Sequence, residues 1–419
     1  MANPIHIKKN KFVLFAALLY FFSPLVAYVT ALFNYEKSWA KNVVWGFAAF
    51  LGYTLQINLD SMGDMVVYRN KFLEFYNADF SLADLYLNFF SNSGHIEFVE
   101  NVISVTVSQY TNDYHFLFMA YGLFFGYFFS RNIDYLYRHV KITQRKGSMW
   151  LIIGLTFVIP LWNINGFDFW TASQLFLFGV LPLIYEKSYK RFLFIVLAPF
   201  THFSFYLIIG LSMIFLIVRS FKSGIIYVYI GSFFLFGVSA SQFSDIASQY
   251  LPEIIFRRAE IYLNADLENQ SGGTIVGMVT FVYTVAINLV FFTTYKKNKE
   301  FIEQDHNLNR FFLYTFYIIG VFNILSVIPS VGRFVMVGQW MLLSALFLLM
   351  NKREFGNYKL LGRNISKVSF IFILFWTISV MRYLFPILGI GSILSGPFWV
   401  DNFVDQDYVV GNILKFFSN

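Results

Sequence analysis

Residues 192–220 read FLFIVLAPFTHFSFYLIIGLSMIFLIVRS, an apolar run interrupted at its middle by Thr201, His202, Phe203 and Ser204. Lys187, Lys190 and Arg191 precede it; Arg219 and Lys222 close it. Basic flanks of a membrane segment stay on the cytoplasmic side, so both ends of this run face the same way and the chain must enter and return. Each limb has about a dozen to sixteen residues, which at about 1.5 Å per residue reaches roughly 18 to 25 Å into a hydrocarbon core of about 30 Å. The run therefore reads as a re-entrant hairpin with a histidine at its apex, near the outer side of the bilayer.

The whole chain has this character. Of its 419 residues 57% are hydrophobic and 13% charged, with mean hydropathy +0.58, far from the make-up of soluble domains. No polar stretch is long enough to build its own core, so 1–419 reads as a single polytopic membrane domain. Without cysteine, disulfides, thiolate metal sites and cysteine nucleophiles are excluded. The first apolar segment runs on without a small-residue cleavage site, as a retained span does. The net charge of +7 fits cytoplasmic loops and anionic headgroups, and no basic, aromatic-interleaved surface points to nucleic acid.

Apolar runs predict spans near 12–33, 43–57, 113–130, 148–163, 167–185, 224–242, 273–294, 311–329, 333–350 and 368–386, besides the hairpin. The fold class is all-α: a polytopic integral membrane protein of about 12 transmembrane or re-entrant helices, with amphipathic helices on its outer face. The loops 131–146, 187–191, 219–222, 296–299 and 352–367 are basic, and the span count places them together on the cytoplasmic side. The connections 58–112, 163–168, 243–273 and 328–333 and the tail after Pro386 are acidic or polar and rich in aromatics, and form the outer face. Counting back puts the N-terminus outside in spite of Lys8, Lys9 and Lys11, and the loop holding Lys37 and Lys41 inside.

Two outer segments, 58–112 and 243–272, read as amphipathic helices on the membrane surface. In the first, Phe72, Phe75, Leu82, Leu85, Tyr86 and Phe89 recur at near-helical spacing, and Ser81 with Asp84 is placed to cap a helix. In the second, Tyr250, Ile254, Ile255, Tyr262 and Leu263 give an apolar side, with Arg257 and Arg258 at headgroup depth.

Ionisable residues in or at the mouth of a membrane bundle line a cavity or pair with one another. The stretch from Asp60 to Asp64, with Tyr68 and Arg69, is either a solvated loop opening a surface helix or part of a site. Asn165 and Gly166 fit a tight turn; beyond them Asp168, Thr171 and Gln174 fall on one helix face that either packs or lines a substrate cavity, beside Trp170. His202 is either a packing residue bonded to Thr201 or Ser204, or a base for a hydroxyl, since histidine changes protonation near neutral pH. Arg333, Arg257, Arg258 and Arg382 are either interfacial anchors or, through the planar fork of their donors, phosphate ligands. His6 lies in the N-terminal tail, His139 and His306 on the cytoplasmic side, and His95 and His115 near the outer side with no obvious partner in the sequence.

Over roughly residues 40–350 these pieces resemble the EpsG family, relatives of the Wzy polymerases of bacterial surface polysaccharides. The resemblance rests on Asp60-Ser-Met-Gly-Asp64-Met-Val-Val-Tyr68-Arg69, on Asn165-Gly-Phe-Asp168-Phe-Trp170-Thr-Ala172, on the Thr201-His-Phe-Ser204 turn and on Gly332-Arg333. It departs where many relatives carry an arginine before Phe-Trp-Thr-Ala, since this chain has Asp168. A carboxylate repels phosphate, so either a pyrophosphate-holding role falls to Arg333, Arg257, Arg258 or Arg69, or the chain takes a different substrate; Asp168 could instead position an acceptor hydroxyl or orient His202.

The resemblance implies a glycosyltransferase in the bacterial cytoplasmic membrane. Such an enzyme moves a glycan from undecaprenyl diphosphate to the non-reducing end of a lipid-linked repeat unit on the outer face. It further implies His202, Asp168 and Asp64 as catalytic residues, and Arg333, Arg257, Arg258, Arg69, Asp60, Tyr68, Trp170 and Gln174 as substrate-binding ones. Its partners would be the lipid-linked oligosaccharide, membrane lipid, a chain-length regulator and a flippase. No nucleotide-phosphate loop or metal-ligand motif is present in the sequence, which argues against a nucleotide-sugar donor, a metal or another cofactor. Alternatives are another polyprenyl-dependent glycosyltransferase such as a ligase, or a flippase. A transporter would show inverted repeats with paired broken helices, and the sequence shows one clear break.

Overall fold

A computed structural model describes residues 14–57, 63–91, 97–139, 145–233, 274–326 and 332–352, with 371, 374, 387, 389–397 and 399–400 near the end of the chain. Among the described residues every extended element is a helix. The chain begins with α1 (14–22) and α2 (Pro24–Phe33), which are separated at Ser23 because Pro24 has no amide to continue the helical ladder. After α3 (Ala40–Tyr53) come three shorter helices, α4 (Asp64–Asn77), α5 (Leu82–Ser91) and α6 (Val99–Ser108). The long α7 (Tyr114–Arg138) and α8 (Arg145–Val158) follow, and a 3-10 turn, Leu161–Gly166, leads into α9 (Phe167–Glu186). Then come α10 (Phe192–Thr201), α11 (Phe205–Val218), α12 (Lys222–Ser232), α13 (Thr274–Lys297), α14 (Lys299–Gln304), α15 (His306–Leu325), α16 (Gly332–Lys352) and α17 (Ile390–Leu394).

Among the described residues three stretches are long and apolar enough to cross a membrane: Leu151–Glu186, His306–Leu325 and Gly332–Met350. The protein is all-helical where described and membrane-embedded. That is fewer long apolar stretches than the expected spans, for a physical reason. α10 and α11 are short limbs, α2 and α3 are short too, and α7 carries Arg131, Asp134 and Arg138 in its last turns. The expected spans 224–242 and 368–386 are described only in part.

Side-chain contacts gather the basic loops at one end of the bundle. His139 Nε2 lies 2.7 Å from Glu186 Oε1. Arg191 stacks 4.0 Å over Phe178 and 5.6 Å over Tyr135. Arg310 caps the C-terminus of α9 by donating to the carbonyls of Ile184 and Tyr185, and Lys352 pairs with Asp305, the N-cap of α15. Lys41 reaches Asp134 at 3.1 Å, so the short loop after α2 belongs to the same end, as the charge count requires.

The hairpin is seen directly. α10 runs antiparallel to α9, from Phe194 against Phe178 to His202 against Phe169. α11 runs back from Phe205, beside Phe334 of α16, to Phe215, beside Tyr314 of α15, with Ser212 Oγ 2.6 Å from Tyr314 Oη. Pro199 withholds one amide within the last turn of α10, and His202, in an extended conformation, turns the chain.

The expected surface helices differ in part. Ser81 and Asp84 form the predicted cap, with Ser81 N donating to Asp84 Oδ2 at 2.9 Å and Asp84 N to Ser81 Oγ at 3.2 Å, and Leu82 and Tyr86 of α5 are exposed. α4, in contrast, buries Met65, Tyr68 and Phe72 against the bundle, and α6 buries Glu100, Ser104, Val105 and Ser108. These two helices dock onto the bundle because a polar network replaces lipid as their neighbour. The segment 243–272 lies outside the described residues.

Close approach of α3 to α7 depends on glycine. A Cβ on Gly122 would lie 2.2 Å from the Ala48 carbonyl oxygen, and one on Gly52 would lie 2.0 Å from that of Phe118. Small residues let backbones meet where apolar packing gives no preference over lipid. We predict that Gly122→Val lowers thermal stability in detergent by about 1–3 kcal/mol or more, as overpacking does. Gly210→Ala, where a Cβ meets nothing within 4 Å, should be neutral or stabilising. Equal melting temperatures for Gly122→Val and wild type would refute the close packing.

Candidate functional site

The site is built on the first turn of α9. Gly166, its N-cap, lies under Trp170: a Cβ there would sit 3.2 Å from Trp170 Cδ1 and 3.5 Å from Asp64 Oδ2. The space over the helix start is thus shared by Trp170 and Asp64. Asp168 follows in the first turn, where the helix dipole favours a negative charge. Tyr68 Oη donates to Asp168 Oδ2 at 3.2 Å, while Asp168 Oδ1 is buried with no hydrogen-bond partner among the described residues. Burial first, and then the charges of Asp168 and Asp64, push the Tyr68 phenol well above its ordinary value. Tyr68 therefore stays protonated and serves as a donor.

Beside this pair lies a buried carboxylate. Glu100, 4% exposed, accepts from Lys71 at 2.6 Å, from Ser104 at 2.8 Å and from Tyr121 at 3.1 Å. The Tyr121 ring stacks 4.1 Å from Phe167 and meets Tyr68 edge-on at 5.7 Å, tying the network to the start of α9.

The apex of the hairpin closes the site from the other side. The His202 ring meets Phe169 edge-on at 5.3 Å, and the Arg333 guanidinium lies 5.7 Å from the same ring's centroid. Arg333 is exposed at the start of α16. Ser204 Oγ is 2.7 Å from His202 Nδ1, and the Ser204 backbone N–H donates to the same nitrogen at 3.3 Å. The turn itself is held by α6: Glu97 Oε1 accepts from Phe203 N at 2.7 Å, and Phe98 N donates to Phe200 O at 2.9 Å.

Of the residues singled out in the sequence, Asp64, Tyr68, Asp168, Trp170, His202 and Arg333 converge on this turn of α9. Arg69 and Gln174 are placed differently, and four more lie outside the described residues. Arg69 lies 5.8 Å from the Tyr114 ring centroid and bonds Asn70 at 3.3 Å. Gln174 is fully buried and accepts from Asn132 Nδ2 at 2.8 Å, so the lower part of the polar line Asp168, Thr171, Gln174 lies within helix packing. Among the described residues no hydrogen bond joins Asp168 to His202: Ser204 lies on the imidazole Nδ1 and Tyr68 on the carboxylate Oδ2. Asp60, Arg257, Arg258 and Arg382 lie outside the described residues. His115, by contrast, has a partner, the Tyr53 carbonyl at 2.8 Å.

Lys71, Glu97, Glu100, Ser104 and Tyr121 did not stand out in the sequence. The available signal was a pair of carboxylates three residues apart in an otherwise apolar segment, Glu97 and Glu100, each of which needs a partner. We predict that Lys71→Met, which strands the buried Glu100 charge, destabilises the protein by about 3–5 kcal/mol, and that adding Glu100→Gln restores most of it. Thermal unfolding of the single and double variants checks this; a double variant no better than Lys71→Met would contradict the pairing.

No known family model, no curated protein and no solved structure matches this chain.

Proposed function

We propose that this membrane protein is a polymerase of bacterial surface polysaccharide. It transfers a glycan from undecaprenyl diphosphate to the non-reducing end of a lipid-linked repeat unit, on the outer face of the cytoplasmic membrane. The observation that carries this reading is the convergence of His202, Arg333 and Asp168 on one helix turn, Asp168 and Phe169 being adjacent and both His202 and Arg333 packing on Phe169. A cation, an imidazole and a carboxylate are the groups that glycosyl transfer from a diphosphate needs.

The reaction forms a bond between the acceptor oxygen and the anomeric carbon of the donor, and breaks the bond from that carbon to the diphosphate oxygen. The electron pair leaves with the diphosphate, and Arg333 offsets the charge that develops there. The acceptor hydroxyl gives up its proton to a base. Asp64 and Trp170, over the start of α9, suit a sugar ring, the carboxylate through its hydroxyls and the indole through its apolar face. Holding both substrates in one geometry supplies much of the acceleration. The chemistry is on the face opposite the basic loops.

In cells, His202→Ala and Arg333→Ala are expected to abolish lengthening of surface polysaccharide while single lipid-linked repeat units accumulate on the outer leaflet. Normal chain length in either variant removes that residue's role. Accumulation on the cytoplasmic leaflet instead identifies a flippase.

A further inference from the structure

The base for the acceptor hydroxyl is a choice between His202 and Asp168, and the turn at the apex bears on it. A backbone N–H can only donate. The Ser204 N–H points at His202 Nδ1 from 3.3 Å, so Nδ1 is the accepting nitrogen, and the Ser204 hydroxyl at 2.7 Å donates to it as well. A neutral imidazole with an accepting Nδ1 carries its proton on Nε2. Among the described residues no hydrogen bond is formed to Nε2, which leaves its N–H for a ligand.

We infer that His202 acts as a hydrogen-bond donor through Nε2–H, aimed with Arg333 at the leaving diphosphate, and that Asp168 is the base. Ser204 is a positioning residue that sets the tautomer. This inference rests on the reading of the protein as a glycosyltransferase. Asp168 has the free valence that a base requires: Oδ2 is held by Tyr68, and Oδ1 is buried without a partner. In the transfer, the acceptor proton passes to Asp168 Oδ1 as the oxygen bonds the anomeric carbon. The pair from the breaking carbon–oxygen bond goes to the diphosphate, where Nε2–H and the Arg333 guanidinium receive it. No proton leaves His202 in this step, and atoms and charge balance without a further reactant. An accepting Nδ1 also explains how Asp168 stands where an arginine would be expected: two donors, His202 and Arg333, face the phosphate from the other side of Phe169.

The test has two arms. The first is nitrogen NMR of the full chain carrying 15N-histidine in a lipid bilayer, with His202→Gln used to assign the His202 signals among the 6 histidines. A pyridine-type Nδ1 and a protonated Nε2 are expected. The second compares lengthening of a lipid-linked repeat unit by purified variants. The glutamine amide places an N–H near the Nε2 position, so His202→Gln should retain activity within about 100-fold of wild type, against a loss of about 1000-fold for His202→Ala, the range seen when one preorganised donor is removed. Asp168→Asn should be inactive.

A ring protonated on Nδ1 overturns the inference, and so does a His202→Gln variant as inactive as His202→Ala beside an active wild type. A wild type that lengthens nothing while its ring is protonated on Nε2 removes the polymerase reading and leaves the tautomer set by Ser204 standing.

Discussion

Backbone amides in a break between two apolar helices have no water to turn to, and each one left unpaired costs several kcal/mol. The break at 201–204 meets this constraint with protein groups. Glu97 takes the Phe203 amide, His202 takes that of Ser204, and the Phe200 carbonyl receives the Phe98 amide. Two of these three bonds come from the segment leading into α6. The hairpin and the outer helices are therefore one structural device: α6 covers the turn, and Glu100 on the same helix connects it through Lys71 to α4 and through Tyr121 to α7.

The same device sets the electrostatics. Carboxylates on α4, α6 and α9 approach from one side, where Lys71 and Tyr121 bond Glu100 and Tyr68 bonds Asp168. The Arg333 cation and the His202 imidazole approach from the other, across Phe169. A ligand lying over the first turn of α9 would meet acceptors at one end and donors at the other. That polarity suits the substrate proposed above, with sugar hydroxyls at one end and a diphosphate at the other.

What was legible in the sequence is what local chemistry fixes. Basic residues on both flanks of 192–220 announce a hairpin, and Ser81 three residues before Asp84 announces a cap. The Lys37 and Lys41 loop went to the basic end by counting, and Lys41 is bonded to Asp134 there. What was not legible depends on neighbours distant along the chain. Gln174 looked like a cavity residue until Asn132, on α7, proved to be its partner. Glu100 lies in a segment whose apolar spacing suits a membrane surface as well as a bundle, and only the arrival of Lys71, Ser104 and Tyr121 makes its burial affordable.

The hairpin apex lies at the end of α10 opposite the basic loops, and we propose that in a cell this end is the outer face. The chain has no cysteine, so single cysteines report without background. Phe203, 41% exposed at the apex, and Lys190, exposed at the foot of α10, are the sites to compare. A membrane-impermeant maleimide should label Phe203→Cys on intact cells and Lys190→Cys only after the membrane is opened. Labelling of Lys190→Cys on intact cells, with Phe203→Cys protected until lysis, would contradict the account.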